Sequence, residues 1–204
     1  MAQMKATQIL RFGTRNRRRN LPGAAARRRG EADFVRGFEA AYLQRFCARG
    51  IGGREFEMFN YGIADFVWVA WRGKAHPEEA TALTVEKIQQ HLQKHLLSAF
   101  ELKLRDWRRG LSQAYRYRYF ADRAILVLPP QAARRARANV SMFRRLKVGV
   151  WSFDMTTGKI HPIFTPTRTK ARNGVAREKA IQLITRRLDF GKFLESRDAI
   201  SHRR

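Results

Sequence analysis

The run from Ile63 to Trp71 (IADFVWVAW) constrains this chain more than any other feature. It is apolar, β-branched or aromatic throughout, except for Asp65. Such a run reads as a strand covered on both faces, and a strand of that kind needs packed layers above and below it. Ala124 to Leu128 (AILVL), stopped by Pro129 and Pro130, reads as a second central strand.

The flanking segments carry helical periodicity. Phe34, Val35, Phe38, Ala41, Tyr42 and Phe46 recur at helix spacing over about 33–48, and Gly50, Gly52 and Gly53 end that helix. Glu55 to Asn60 reads as a strand that turns near Tyr61 and Gly62. Residues 73–97 read as an insertion: Pro77, Glu78 and Glu79 look like a helix start, and Val85, Ile88, Leu92 and Leu96 continue its stripe. In residues 99–104 (AFELKL), Phe100, Leu102 and Leu104 face one way, and Glu101 and Lys103 the other. Asp106 can cap a helix over about 107–120, and a basic helix is predicted over 131–146. Residues 147–153 and 159–164 form a hairpin around Thr157 and Gly158. A last helix covers about 175–188, with Ala180, Ile181, Ile184 and Leu188 on one face. Strands alternating with helices predict an α/β fold, a mixed sheet with helices on both faces.

Charge narrows the partner. Against 42 Lys and Arg stand 17 Asp and Glu, a formal net charge of +25. A surplus of that size repels itself in the folded state, so a polyanion is the expected partner. The basic residues are mostly Arg, whose planar fork matches phosphate oxygens, and they occur along the whole chain. Nucleic acid is therefore expected ahead of a membrane, with DNA ahead of RNA; the oligomeric state stays open, a homodimer included. Residues 1–30 hold Lys5, Arg11, Arg15, Arg17, Arg18, Arg19, Arg27, Arg28 and Arg29 and no acid, and read as a flexible basic arm. The organisation expected is this arm, a core over 31–165 and a basic helical extension over 166–204. Cys47 is the only cysteine, which rules out an internal disulfide and a thiolate zinc cluster. No run reaches the roughly 18 apolar residues of a membrane span, and the start of the chain lacks the apolar core of a signal peptide. A cytoplasmic location is expected.

The chemistry centres on Asp65, Glu101 and Lys103. A lone acid on so apolar a strand is costly to bury and calls for a cation. Lys103 can supply it as an ion pair. A hard divalent ion shared by Asp65 and Glu101 can also supply it, since oxygen ligands suit Mg²⁺ or Mn²⁺. Such an ion polarises a phosphoryl oxygen and acidifies bound water. On spacing alone both readings stay open.

Asp65 after Gly62-Ile63-Ala64, followed by Glu101-Leu102-Lys103 on a strand, resembles the D…(D/E)xK signature of the PD-(D/E)xK, or restriction-endonuclease-like, nuclease superfamily. Gln113 to Tyr117 (QAYRY) on the next helix is similar to the QxxxY motif of its RecB-like and Cas4-like branch. The resemblance covers roughly residues 31–154. It departs from the superfamily pattern in Ala64, where the motif's name has Pro, and in the long gap between the two acids. It implies an αβββαβ core and hydrolysis of phosphodiesters. It further implies Asp65, Glu101 and the Leu102 carbonyl as metal ligands, and Lys103 positioning the nucleophilic water. Gln113 and Tyr117 would order the site or contact the nucleic-acid backbone. Glu39 on the first helix would touch the metal through water, with Glu31 the weaker candidate. No cysteine set for an iron–sulfur cluster is present.

Other residues carry weaker signals. Arg108, Arg109, Arg116 and Arg118 could make a phosphate-facing surface or a solvated face. Tyr115, Tyr117 and Tyr119 alternate with Arg116 and Arg118, a mixture that can stack on bases and clamp phosphates. On a helix they point in different directions, so at least one belongs to the core, and Tyr119 and Phe120 read as packing residues. His91 and His95 stand one helical turn apart without a third ligand, so a zinc site is not expected. The rival functions are a non-catalytic nucleic-acid binder on the same fold and a basic structural component of a nucleoprotein particle.

Overall fold

The computed structural model describes residues 7–11, 24–46, 50–70 and 85–187. The described strands are β1 (Thr7–Arg11), β2 (Gly50–Met58), β3 (Gly62–Ala70), β4 (Leu97–Leu102), β5 (Arg123–Leu128), β6 (Val148–Asp154) and β7 (Lys159–Phe164). They lie side by side in chain order in a single sheet. The helices are α1 (Ala24–Phe46), α2 (Val85–Gln93), α3 (Trp107–Tyr117), α4 (Pro130–Arg137), α5 (Val140–Leu146) and α6 (Gly174–Thr185). Strand pairs β2–β3, β3–β4 and β6–β7 are antiparallel; β1–β2, β4–β5 and β5–β6 are parallel. The fold is thus mixed α/β, as the alternation of strand and helix signals predicts.

Alternation along the strands divides the core into two layers. On one face, Phe34, Phe38 and Tyr42 of α1 pack on Phe66, Trp68, Phe100, Leu102, Ile125, Val127, Trp151 and Phe153. Rings interlock there: Phe38 lies 5.4 Å from Phe100, and Tyr42 lies 5.1 Å from it edge-on. On the other face, Leu126, Leu128, Val148 and Val150 meet Leu111 and Ala114 of α3, Ala133 and Ala136 of α4 and Phe143 of α5. Ile88 and Leu92 of α2 and Ala180, Ile181 and Ile184 of α6 join Val67, Val69 and Ala99. The described part of the expected C-terminal extension therefore packs into the core.

Several boundaries differ from the sequence reading. Gly50, Gly52 and Gly53 begin β2 rather than ending a helix. A Cβ on Gly52 would lie 2.3 Å from the Val67 carbonyl and 2.6 Å from the Trp68 indole; one on Gly50 would lie 2.4 Å from that indole. These glycines are there so that a buried tryptophan can lie against the neighbouring strand, a packing demand that local sequence does not display. The basic stretch 131–146 divides into α4 and α5 around Ala138 and Asn139. Within the stretch read as an arm, Thr7–Arg11 is a strand and α1 begins at Ala24. Pro77, Glu78, Glu79, Cys47, Trp71 and Leu188 lie outside the described residues. Trp68, Trp107 and Trp151 are buried, as expected of core residues.

Candidate active site

The site forms where β3 and β4 part. Their pairing runs from Val69 opposite Leu97 to Phe66 opposite Phe100 and then stops. The next residues on the two strands are Asp65 and Glu101. Asp65 Oδ2 accepts the Leu102 N–H at 2.7 Å, so a side chain takes an amide that the strand ladder leaves open. On its other side, β2 matches Arg54 with Phe66 and Phe56 with Ala64. Between them stands Glu55, at φ 59, left-handed for a residue with a Cβ. The chain turns over at this point: Ala64 packs into one core layer and Phe66 into the other. The irregularity places Asp65 at a twist in an otherwise continuous buried strand. Local strain of this kind is characteristic of functional positions.

Glu101 is fully buried. Lys103 Nζ pairs with its Oε1 at 2.6 Å, and the Tyr117 hydroxyl donates to its Oε2. The same hydroxyl reaches the Ile63 carbonyl at 2.6 Å, tying α3 to the start of β3. Asp106 sets the phase of α3 by accepting the Arg109 N–H at 3.0 Å, an N-cap as expected. Gly110, on the face of α3 that meets the sheet, leaves room for Lys103. A Cβ there would sit 2.9 Å from Lys103 Cγ and 2.6 Å from Leu126 Cδ1. Gln113 lies on the same helix face between Gly110 and Tyr117. Its Oε1 is buried and has no hydrogen-bond partner among the described residues, an acceptor left unpaired at a cost.

Electrostatics couple the two acids. Burial pushes the Asp65 carboxyl up to about 7, and the Glu101 charge pushes the same way; Lys103 and the Leu102 amide only partly oppose them. Burial also raises the Glu101 carboxyl, against Lys103, Tyr117 and Arg116. Burial and the Glu101 charge hold the Tyr117 phenol protonated, well above its ordinary value. The Asp65 carboxyl, raised by burial and by the Glu101 charge, is short of positive charge, and Lys103 does not supply all of it. Asp65, Glu101 and backbone carbonyls are the oxygen donors on hand for a hard cation. Among the described residues no group of three or more His, Cys, Asp and Glu gathers around one point.

No protein-family model, curated protein or solved structure matches this chain.

The structure thus brings together Asp65, Glu101, Lys103 and Tyr117, with Gln113 on the adjoining helix face. Glu39 pairs with Arg54 at 3.0 Å, whereas the charge of Glu31 is felt at Asp65. Among the arginines, Arg118 corrects the expected phosphate surface. It is buried and donates to the Ala121 and Asp122 carbonyls, at 3.5 and 3.2 Å, so it serves the fold. Arg108 lies 4.7 Å over the Trp107 ring, and Arg109 is exposed. Arg116 is exposed, but its charge reaches Glu101 and Tyr117. It runs along Gly62, where an added Cβ would be 3.7 Å from its Nη2.

Two features escape the sequence reading. Asp122 is a buried hub that accepts the Leu97 amide at 2.9 Å and Arg177 Nε and Nη2 at 2.8 and 2.9 Å. Arg172 lies over the rings of Tyr115 and Tyr119. Neither has a spacing signal, since their partners are distant in the chain.

Proposed function

We propose that this protein is a metal-dependent nuclease of the PD-(D/E)xK type that hydrolyses phosphodiester bonds, with DNA as its substrate. The observation that carries the reading is the meeting of Asp65, Glu101 and Lys103 where two antiparallel strands part. With α2 as an insertion between β3 and β4, the order α1, β2, β3, β4, α3, β5, with β4 and β5 parallel, supports an αβββαβ restriction-endonuclease-like core.

The raised Asp65 carboxyl beside the fully buried Glu101 is the feature that a divalent cation fits. Asp65 and Glu101 would hold Mg²⁺ or Mn²⁺, with the Leu102 carbonyl as a further oxygen. Such an ion supplies Lewis-acid stabilisation of charge on a phosphoryl oxygen. The chain's own contributions are more specific. Tyr117 fixes the Glu101 carboxylate from one side while Lys103 holds it from the other. Lys103, partly exposed beside a buried acid, can orient a water molecule or meet developing negative charge on phosphate. The net charge of +25 draws the polyanion to a site that is itself acidic. A pure binder would gain nothing from two acids beside a phosphate, which is why the catalytic reading stands ahead of the binding one.

The test is cleavage of labelled DNA by the purified chain with Mg²⁺ or Mn²⁺ and with EDTA. Cleavage is expected only with the metal. Lys103→Ala is expected to lower the rate by about 100-fold or more while leaving DNA binding in EDTA intact. Equal cleavage by that variant, or cleavage in EDTA, would remove the proposal.

A further inference from the structure

Next to the acidic site is a stack of rings that the hydrolytic chemistry does not use. Tyr61, on the β2–β3 turn, stacks on Tyr119 with centroids 5.3 Å apart and planes 18° from parallel. The Arg172 guanidinium then lies 5.3 Å from the Tyr119 centroid and 5.3 Å from the Tyr115 centroid, and it donates to the Tyr115 hydroxyl. Three separate segments build the stack, and backbone bonds hold them in place. Arg172 N–H donates to the Arg118 carbonyl at 2.9 Å, and Asn173 N–H to the Tyr119 carbonyl at 3.0 Å. The Asn173 side chain holds the Tyr61 hydroxyl at 3.2 Å. The arrangement is therefore set before any ligand arrives.

Its position and exposure bear on its use. Tyr117, between Tyr115 and Tyr119, turns inward to Glu101, so the helix segment that completes the acidic site also presents the outer rings. Tyr61 precedes Gly62 and Ile63, and the Ile63 carbonyl is the second acceptor of Tyr117. Arg172 and Arg116 are exposed. Phe59, two residues before Tyr61 on the same turn, is 76% exposed. An aromatic side chain that open, at a turn tip, adds nothing to the packing of the fold. A latch for the 172–173 segment accounts for these hydrogen bonds, but not for the exposed Phe59 or for the exposure of Arg172.

We propose that Tyr61, Tyr119, Arg172 and Tyr115, with Phe59 at the turn tip, form a stacking track for unpaired nucleotides, so that a single strand is the form of nucleic acid led to Asp65 and Glu101. Beyond the faces that Tyr119 and Arg172 already take up, the rings of Tyr61 and Tyr115 and the exposed Phe59 accept any base face, while the exposed Arg116 and Arg172 meet the phosphates between. Paired bases in a duplex have their faces covered and gain nothing from the track. The inference rests on the nuclease reading for what happens at the acids, but not for the binding itself.

Fluorescence anisotropy of the full chain in EDTA separates the two. The probes are a dye-labelled oligothymidylate, a strand of the same length carrying abasic sites, and a duplex. The wild type is expected to bind the oligothymidylate about tenfold more tightly than the abasic strand, the worth of roughly one stacked base. Phe59→Ala and Arg172→Lys should shrink that ratio several-fold with little change in affinity for the abasic strand, because charge is kept. Tyr119→Phe, which keeps the ring, should preserve it. Equal wild-type affinity for the two single strands, tighter binding of the duplex, or variants that leave the ratio untouched would each overturn the track. Base-dependent binding without metal-dependent cleavage leaves the track standing and sinks the nuclease reading; cleavage without base dependence does the reverse.

Discussion

The Tyr117 hydroxyl donates to the buried Glu101 carboxylate and reaches the Ile63 carbonyl at 2.6 Å. One phenol thereby joins α3 to both strands that frame the acidic site, at the point where those strands stop pairing with each other. The fold holds its two acids at a gap in the sheet, and this hydroxyl spans the gap.

Tyr117→Phe removes the hydroxyl without changing the ring, leaving the buried Glu101 carboxylate without its phenol donor. The expected cost is about 1–3 kcal/mol, read as a lower urea midpoint with an unchanged slope. Because Tyr117 also pulls the Glu101 carboxyl down, its loss should move the acidic limb of any pH–rate profile to higher pH. A variant as stable as wild type, with the same profile, would mean that the hydroxyl does neither job.

Asp65 gives a pH signature of definite sign. Its carboxyl titrates near 7 in the folded chain, against an ordinary value of 3.8. The folded state therefore holds more protons than the unfolded state between those values, and this group's contribution makes stability fall as pH rises from about 4 to about 7. Thermal melts in EDTA should show that decline, and Asp65→Asn should make it shallower. Adding Mg²⁺ at pH 8 should raise the melting temperature of the wild type and not of the variant. A slope that the substitution leaves unaltered would mean that Asp65 is not the group responsible.

Asp122 anchors α6 to the start of β4 through Arg177. Asp122→Ala leaves a nearly buried guanidinium unpaired, and the expected loss is about 3–5 kcal/mol. The double variant Asp122→Ala/Arg177→Ala should lose less than the sum of the two single changes. Hydrogen exchange should speed up across Leu97–Leu102 and Gly174–Thr185 in the single variants. Additive losses, with unchanged exchange in α6, would show that the pair is not the anchor.

Much of the frame is legible along the chain. The apolar run with its single acid predicts the buried strand. AFELKL predicts a strand with Glu101 and Lys103 opposite Phe100 and Leu102, and Asp106 predicts the cap of α3. These are local signals, because periodicity, capping and turn chemistry act over a few residues. The site residues Asp65, Glu101, Lys103 and Tyr117 could be named from such signals together with a motif resemblance. Their meeting could not.

Tertiary packing decided the rest. Gly50 and Gly52 look like helix terminators, yet they are strand glycines because Trp68 lies across them from another strand. Glu39 shows no partner along the chain, and in the fold Arg54 of the neighbouring strand pairs with it. Arg118 looks like surface charge and is spent on the carbonyls of Ala121 and Asp122. Asp122 with Arg177, and Tyr61 with Tyr119 and Arg172, join segments far apart in the chain, and no local pattern records such a partnership. Along the chain, periodicity and capping mark most of the strands and helices, though not β1 or the glycine start of β2, and they show which side chains carry charge, since those signals come from neighbours along the backbone. Which charges face one another, and so where a cation or a phosphate is wanted, depends on distances that exist only once the sheet has closed.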